Sequence, residues 1–140
     1  MDVMACNACG AALSRPARQL RELPERRFVD EDRVSMHPTL EPGTWAVDPA
    51  PRLIASDGTA STEGCLVMNP EDATGLEPHP DAMRNSGCCG HDGLDGPNRR
   101  CARCHAEVAT LSDDCWTAVE LRFEPAAVHV RRDAGPVRDG

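Results

Sequence analysis

Apolar residues along this chain fall in short islands separated by turn formers. Residues 44–47 (TWAV), 53–55 (LIA) and 65–68 (CLVM) each predict a brief strand, ended by Pro49, Asp57-Gly58 and Asn69-Pro70 in turn. Residues 107–111 predict a further strand. Val119, Leu121 and Phe123 then alternate with Glu120, Arg122 and Glu124, the period of two expected of a half-buried strand, and Pro125 stops it. Val128-His129-Val130-Arg131 repeats the alternation, so the two segments are expected to lie together as a hairpin or as neighbours. Helical signals are weak: Pro16 and Pro24 limit any helix in 15–27 to one or two turns, and 71–76 has room for a single turn. Residues 57–64 (DGTASTEG) read as an exposed loop and 132–140 as a frayed tail.

Composition sharpens this picture. The chain has 140 residues, of which only 3% are aromatic, with 12 Pro and 11 Gly. That length fits one domain, here 1–131 followed by the tail, with a core drawn from Val, Leu, Ile, Ala and Met. So little large apolar surface offsets ordering entropy poorly, and cross-links or metals are the usual remedy. Eight cysteines supply the means. The first residues, MDVMACNACG, contain neither a basic nor an apolar signal region, and no apolar run approaches the roughly 18 residues of a membrane span. The expectation is a cytoplasmic, reducing location in which thiols bind metal rather than each other. All fifteen basic residues are Arg, a skew typical of GC-rich bacterial coding sequence.

The net charge of −8 is uneven. Residues 1–27 hold five Arg against three acids, residues 28–86 three against eleven, and residues 87–140 seven against nine. Nucleic-acid binding needs clustered cations, so a protein partner is expected instead, and no membrane. The acidic, Pro- and Gly-rich stretch 28–86 reads as a long irregular insertion. Arg99, Arg100 and Arg103 form a local basic cluster, read as solvated side chains.

The chemical density lies in two places. Cys6 and Cys9 (CNACG) make one Cys-x-x-Cys knuckle, with Gly10 at the position where the backbone must turn. Residues 86–116 hold five more cysteines, including a second pair, Cys101 and Cys104 (CARCH). Two thiolates from each pair complete a tetrahedron, so Cys6, Cys9, Cys101 and Cys104 are the expected Zn2+ ligands. The separation of the pairs is far longer than in a compact ribbon, but closure entropy grows only slowly with loop length. Cys88, Cys89, Cys115, His91 and His105 are alternative or second-site ligands. Cys65, alone in a predicted strand, reads as a buried structural thiol.

Other patterns carry less. Cys101-Ala-Arg-Cys104-His105 matches the covalent haem motif, but such a chain offers no large apolar pocket. Asp92, Asp95 and Asn98 have oxygen donors without the alternate spacing of an EF-hand, and suit a turn better. Asp113 and Asp114 are candidates to support a ligand or cap a turn. His105-Ala106-Glu107 follows its CxxC where a zinc deaminase would place it before, and no HExxH, P-loop or dinucleotide fingerprint occurs.

CNACG with CARCH resembles the paired knuckles of the zinc-ribbon superfamily. The run GCCGHDGLDGPNRRCARCHAEVATLSDDCW resembles a small, uncharacterised group of cysteine-rich actinobacterial proteins. The ribbon resemblance covers about a quarter of the chain and implies a metal rather than a role. The expectation is a small β-rich, zinc-ribbon-like domain, its metal structural, acting as a protein-interaction or accessory module. A metal or redox sensor using the extra cysteines is one alternative. A zinc hydrolase with an open coordination position, using His91 or His105, is the other.

Overall fold

The computed structural model describes residues 1–26, 38–49, 64–87, 90–93, 96–114 and 118–133. Among the described residues, nine strands and two short 3-10 turns make up the regular structure, and no α-helix occurs. In chain order the strands are β1 (Asp2–Cys6), β2 (Arg18–Gln19), β3 (Thr44–Val47), β4 (Leu66–Met68), β5 (Leu76–Pro78), β6 (Arg99–Cys101), β7 (Glu107–Ser112), β8 (Glu120–Phe123) and β9 (Val128–Arg132). Seven form one sheet in the order β2-β3-β4-β8-β7-β6-β5, antiparallel except for β2 beside β3. The other two, β1 and β9, pair antiparallel as a separate ribbon.

The TWAV and CLVM islands become β3 and β4, and they lie side by side. The acidic stretch therefore contributes β3, β4 and β5 to the sheet rather than only loops. Residues 53–55 fall outside the described residues. The turn expected over 71–76 is a 3-10 turn at Pro70–Asp72, capped by the Asn69 side chain accepting from the Glu71 N–H, and Leu76 already opens β5. No helix forms in 15–26; Arg18 and Gln19 instead run beside β3. The strand β1 was not anticipated, because the knuckle cysteine ends a stretch too short to show periodicity.

The expected β8–β9 hairpin does not form. β8 lies between β4 and β7, while β9 crosses to β1, and Arg132 belongs to β9 rather than to a frayed tail. β8 also departs from its half-buried pattern, because all four of its residues are buried. Leu121 and Phe123 pack in the main core with Met4, Leu13, Trp45, Met68 and Val108. Glu120 and Arg122, on the opposite face, are covered as well. Glu120 accepts from Arg26 Nε at 2.5 Å, from Thr39 Oγ1 at 2.8 Å and from Arg122 Nη1 at 3.1 Å, while Arg26 also reaches Asp48 at 2.9 Å. Burial opposes ionisation of Glu120, but these cations and hydrogen bonds outweigh it and hold the carboxyl below its usual range. Alternation in the sequence marks the two faces; it cannot say that a second layer closes over the polar one.

Candidate metal centre

Two chain reversals, at opposite ends of the sequence, are built alike. After β1, the Gly10 N–H donates to the Cys6 carbonyl at 2.8 Å and the Cys6 N–H to the Ala11 carbonyl at 2.9 Å. After β6, the His105 N–H donates to the Cys101 carbonyl at 2.7 Å and the Cys101 N–H to the Ala106 carbonyl at 2.8 Å. Even the second residues correspond: Asn7 N–H is bonded to Ala127 O, and Ala102 N–H to Gly75 O, each at 2.9 Å. The fifth residue of each turn has a positive φ, 78° at Gly10 and 68° at His105. Glycine takes that conformation freely, whereas histidine is held in it.

These turns face one another. The Sγ atoms of Cys6, Cys9, Cys101 and Cys104 all lie within 4.8 Å of each other. Cys6 and Cys104 are 3.6 Å apart, as are Cys9 and Cys101, so both of these close approaches run from one knuckle to the other. Zn–S bonds of about 2.3 Å in a tetrahedron imply S–S edges of about 3.8 Å. The cluster therefore has the size of a four-thiolate metal site, and these four cysteines could bind a metal ion. Cys6 and Cys101 are buried in the core, while Cys9 and Cys104 are half-buried.

The thiols are unequal. Burial opposes ionisation of Cys101, but backbone N–H groups of Cys104 and Arg103, together with the neighbouring thiols, bring it down to about 7. The Ala106 N–H favours a thiolate at Cys104, yet burial and the surrounding sulfurs push it up to about 12. Four thiolates this close repel one another, and a divalent cation is what removes the repulsion. The donor set thus fits a soft metal ion.

Core packing and backbone bonds lock the two halves around the sulfurs. Trp45 Nε1 donates to Asp2 at 3.1 Å, and Thr74 N–H and Arg15 N–H bind Leu13 O and Asp72 O at 2.9 and 2.8 Å. The two histidines predicted as alternative ligands bond to acids instead. His105 points its Nδ1 at Glu77, beside Arg100. His91 bonds Asp113 through Nδ1 at 2.9 Å, and Arg99 approaches its Nε2 at 3.3 Å. Cys88, Cys89 and Cys115 fall outside the described residues, as does Asp95. Asn98 is fully buried and clamps Leu111 by both amide atoms, a structural role. Asp113 and Asp114 bind the backbone of His91 and Gly90 and so fasten the 90–93 loop. Cys65 is buried, and that burial raises its thiol to about 11, consistent with an inert residue.

Sequence reasoning missed the charged cluster of Arg26, Asp48, Glu120 and Arg122. Its only signal was an arginine and a glutamate within one short strand, which is equally the signature of a solvated face. No helix among the described residues is long and apolar enough to cross a membrane. No protein family, curated protein or solved structure matches the chain.

Proposed function

We propose that Cys6, Cys9, Cys101 and Cys104 hold one structural Zn2+, and that the chain serves as a small zinc-ribbon-like module binding another protein. One observation carries the metal reading: thiols 92 and 98 positions apart in sequence meet in one cluster whose sulfurs all lie within 4.8 Å of each other. Zinc suits such a set because it accepts four thiolates and has no redox chemistry of its own. Four thiolates leave no open position for a water. The hydrolase reading is therefore disfavoured, the more so because His91 and His105 are bonded to acids instead. A reducing bacterial cytoplasm would keep the thiols available, and the net charge of −8 favours protein over nucleic acid as partner.

A redox-sensing role draws support from one feature, the partial exposure of Cys9 and Cys104, each nearest a buried sulfur of the other knuckle. Native mass spectrometry of protein purified without added metal, before and after chelator and thiol alkylation, tests both. One zinc per chain, with alkylation suppressed at the four ligands, supports the structural reading. Reversible loss of zinc on mild peroxide treatment, with Cys6–Cys104 and Cys9–Cys101 disulfides in the peptide map, supports sensing. Absence of metal together with four disulfides in the purified protein would overturn both.

A further inference from the structure

The ribbon has one closed side and one open side. On β1, Asp2 exchanges both backbone bonds with Ala17, Met4 O accepts from Leu13 N–H, and Cys6 N–H binds Ala11 O. Even-numbered peptide groups of β1 therefore face the 11–17 segment, and Val3 and Ala5 face β9. Their register partners are Arg131 and His129, and the flanking bonds Asn7 N–H to Ala127 O and Asp133 N–H to Met1 O continue the same parity. Antiparallel pairing alternates strictly. The peptide groups of Val130 and Arg132 consequently point away from β1, and no strand lies on that side of β9 among the described residues.

Side chains along this edge have a definite character. Val130 lies opposite Met4 and Val128 opposite Cys6, so both share the face that packs on the core. Val128 is 4% exposed, yet Val130 is 41% exposed, one of four large apolar residues left open to solvent among the described residues. The Arg132 side chain is 81% exposed and pairs with Asp2 through Nε at 3.4 Å, and Arg131 on the other face donates to Gly10 O at 3.1 Å. β9 thus carries two arginines, a histidine and no acid in a chain whose net charge is −8. Charged residues are also a common guard against unwanted pairing at sheet edges, which makes the choice of partner the point at issue.

We infer that the outer edge of β9 is a strand-addition site for an extended acidic peptide segment of a partner protein. The segment pairs with the outward N–H and C=O groups of Val130 and Arg132. An apolar side chain of the partner covers Val130, and a carboxylate two residues away meets Arg132. The inference rests on the protein-binding reading above and names the surface that reading requires.

The probe is a synthetic peptide, Thr-Glu-Thr-Val-Thr-Glu-Thr, titrated into the zinc-loaded full chain and followed by amide NMR shifts. The expected result is saturable shifts at Val130 and Arg132 that weaken at least tenfold when salt is raised, with far smaller shifts from the peptide carrying Lys in place of Glu. Val130→Pro removes an outward N–H without touching a β1 bond and should abolish the response. Arg132→Glu should reverse the preference between the two peptides, and unchanged zinc content shows that each variant is folded. Shifts elsewhere, an undiminished response in Val130→Pro, or slow exchange of the Val130 amide in the free monomer would overturn the edge site while leaving the protein-binding reading standing. Concentration-dependent self-association that protects the same amides would assign the edge to a second copy of the chain, and also overturns it.

Discussion

If one ion joins the ribbon to the sheet, stability should follow free zinc in a fixed proportion. A ligand that binds only the folded state stabilises it by RT ln(1 + [L]/Kd), about 2.7 kcal/mol at 100 Kd and about 4.1 kcal/mol at 1,000 Kd. Each decade of free zinc above Kd is then worth about 1.4 kcal/mol for one site, and twice that for two. With a urea dependence of about 2 kcal/mol per molar, the unfolding midpoint should climb by about 0.7 M per decade. The structure also says what survives without metal. β1 remains tied to β9 and to 11–17, and β6 remains between β5 and β7. The zinc-free chain should keep its far-ultraviolet β signature while unfolding at lower urea. Urea titrations in zinc buffers, read by Trp fluorescence and circular dichroism, measure the slope. Cys9→Ser should flatten it. A slope of zero in the unaltered chain would refute the staple, and a doubled slope would refute the single site.

Three further outcomes follow from particular residues. Arg26→Ala removes the cation shared by the buried Glu120 and Asp48 carboxylates, leaving Glu120 with Thr39 and Arg122, and should cost about 3 kcal/mol by urea unfolding, with zinc content unchanged. Because the folded Glu120 carboxyl is held below its unfolded value, its contribution is present above the unfolded pKa of about 4.3 and fades as pH falls through the lower folded value. Acid titration of stability should therefore lose part of its low-pH slope in Glu120→Gln. His105→Gly relieves a left-handed backbone that costs histidine about 1 kcal/mol and gives up only an exposed contact with Glu77, so the variant should fold as well and bind zinc as tightly. A marked loss of zinc affinity there would mean that the side chain serves the metal after all.

The legible parts of this molecule were those set by short-range chemistry. TWAV and CLVM announced β3 and β4 through β-branched and aromatic residues between turn signals, and two CxxC spacings announced which four cysteines gather into one cluster. What stayed hidden depends on partners distant in the chain. β9 follows β8 after a short turn, and nothing local says that it leaves β8 for a strand at the far end of the chain. The alternation in β8 fixed which residues share a face, but burial of Glu120 follows from Arg26 and Thr39, contributed by separate segments. His105 likewise hides its kinship with Gly10, because the requirement for positive φ is a property of the turn, not of the residue filling it.

The likeness of the two knuckles has a consequence for how the protein comes into being. Cys9 and Cys101 are 92 positions apart, and ribosomes add about 5–20 residues per second. The first knuckle therefore leaves the ribosome roughly 5–20 s before the second exists. During that interval it presents two thiols, and β1 lacks β9, which is made later still. If the four cysteines hold one metal, whatever occupies the early half-site must exchange readily, since the centre is completed only by all four sulfurs. Folding is complete only when β9, made late, closes on β1, made first.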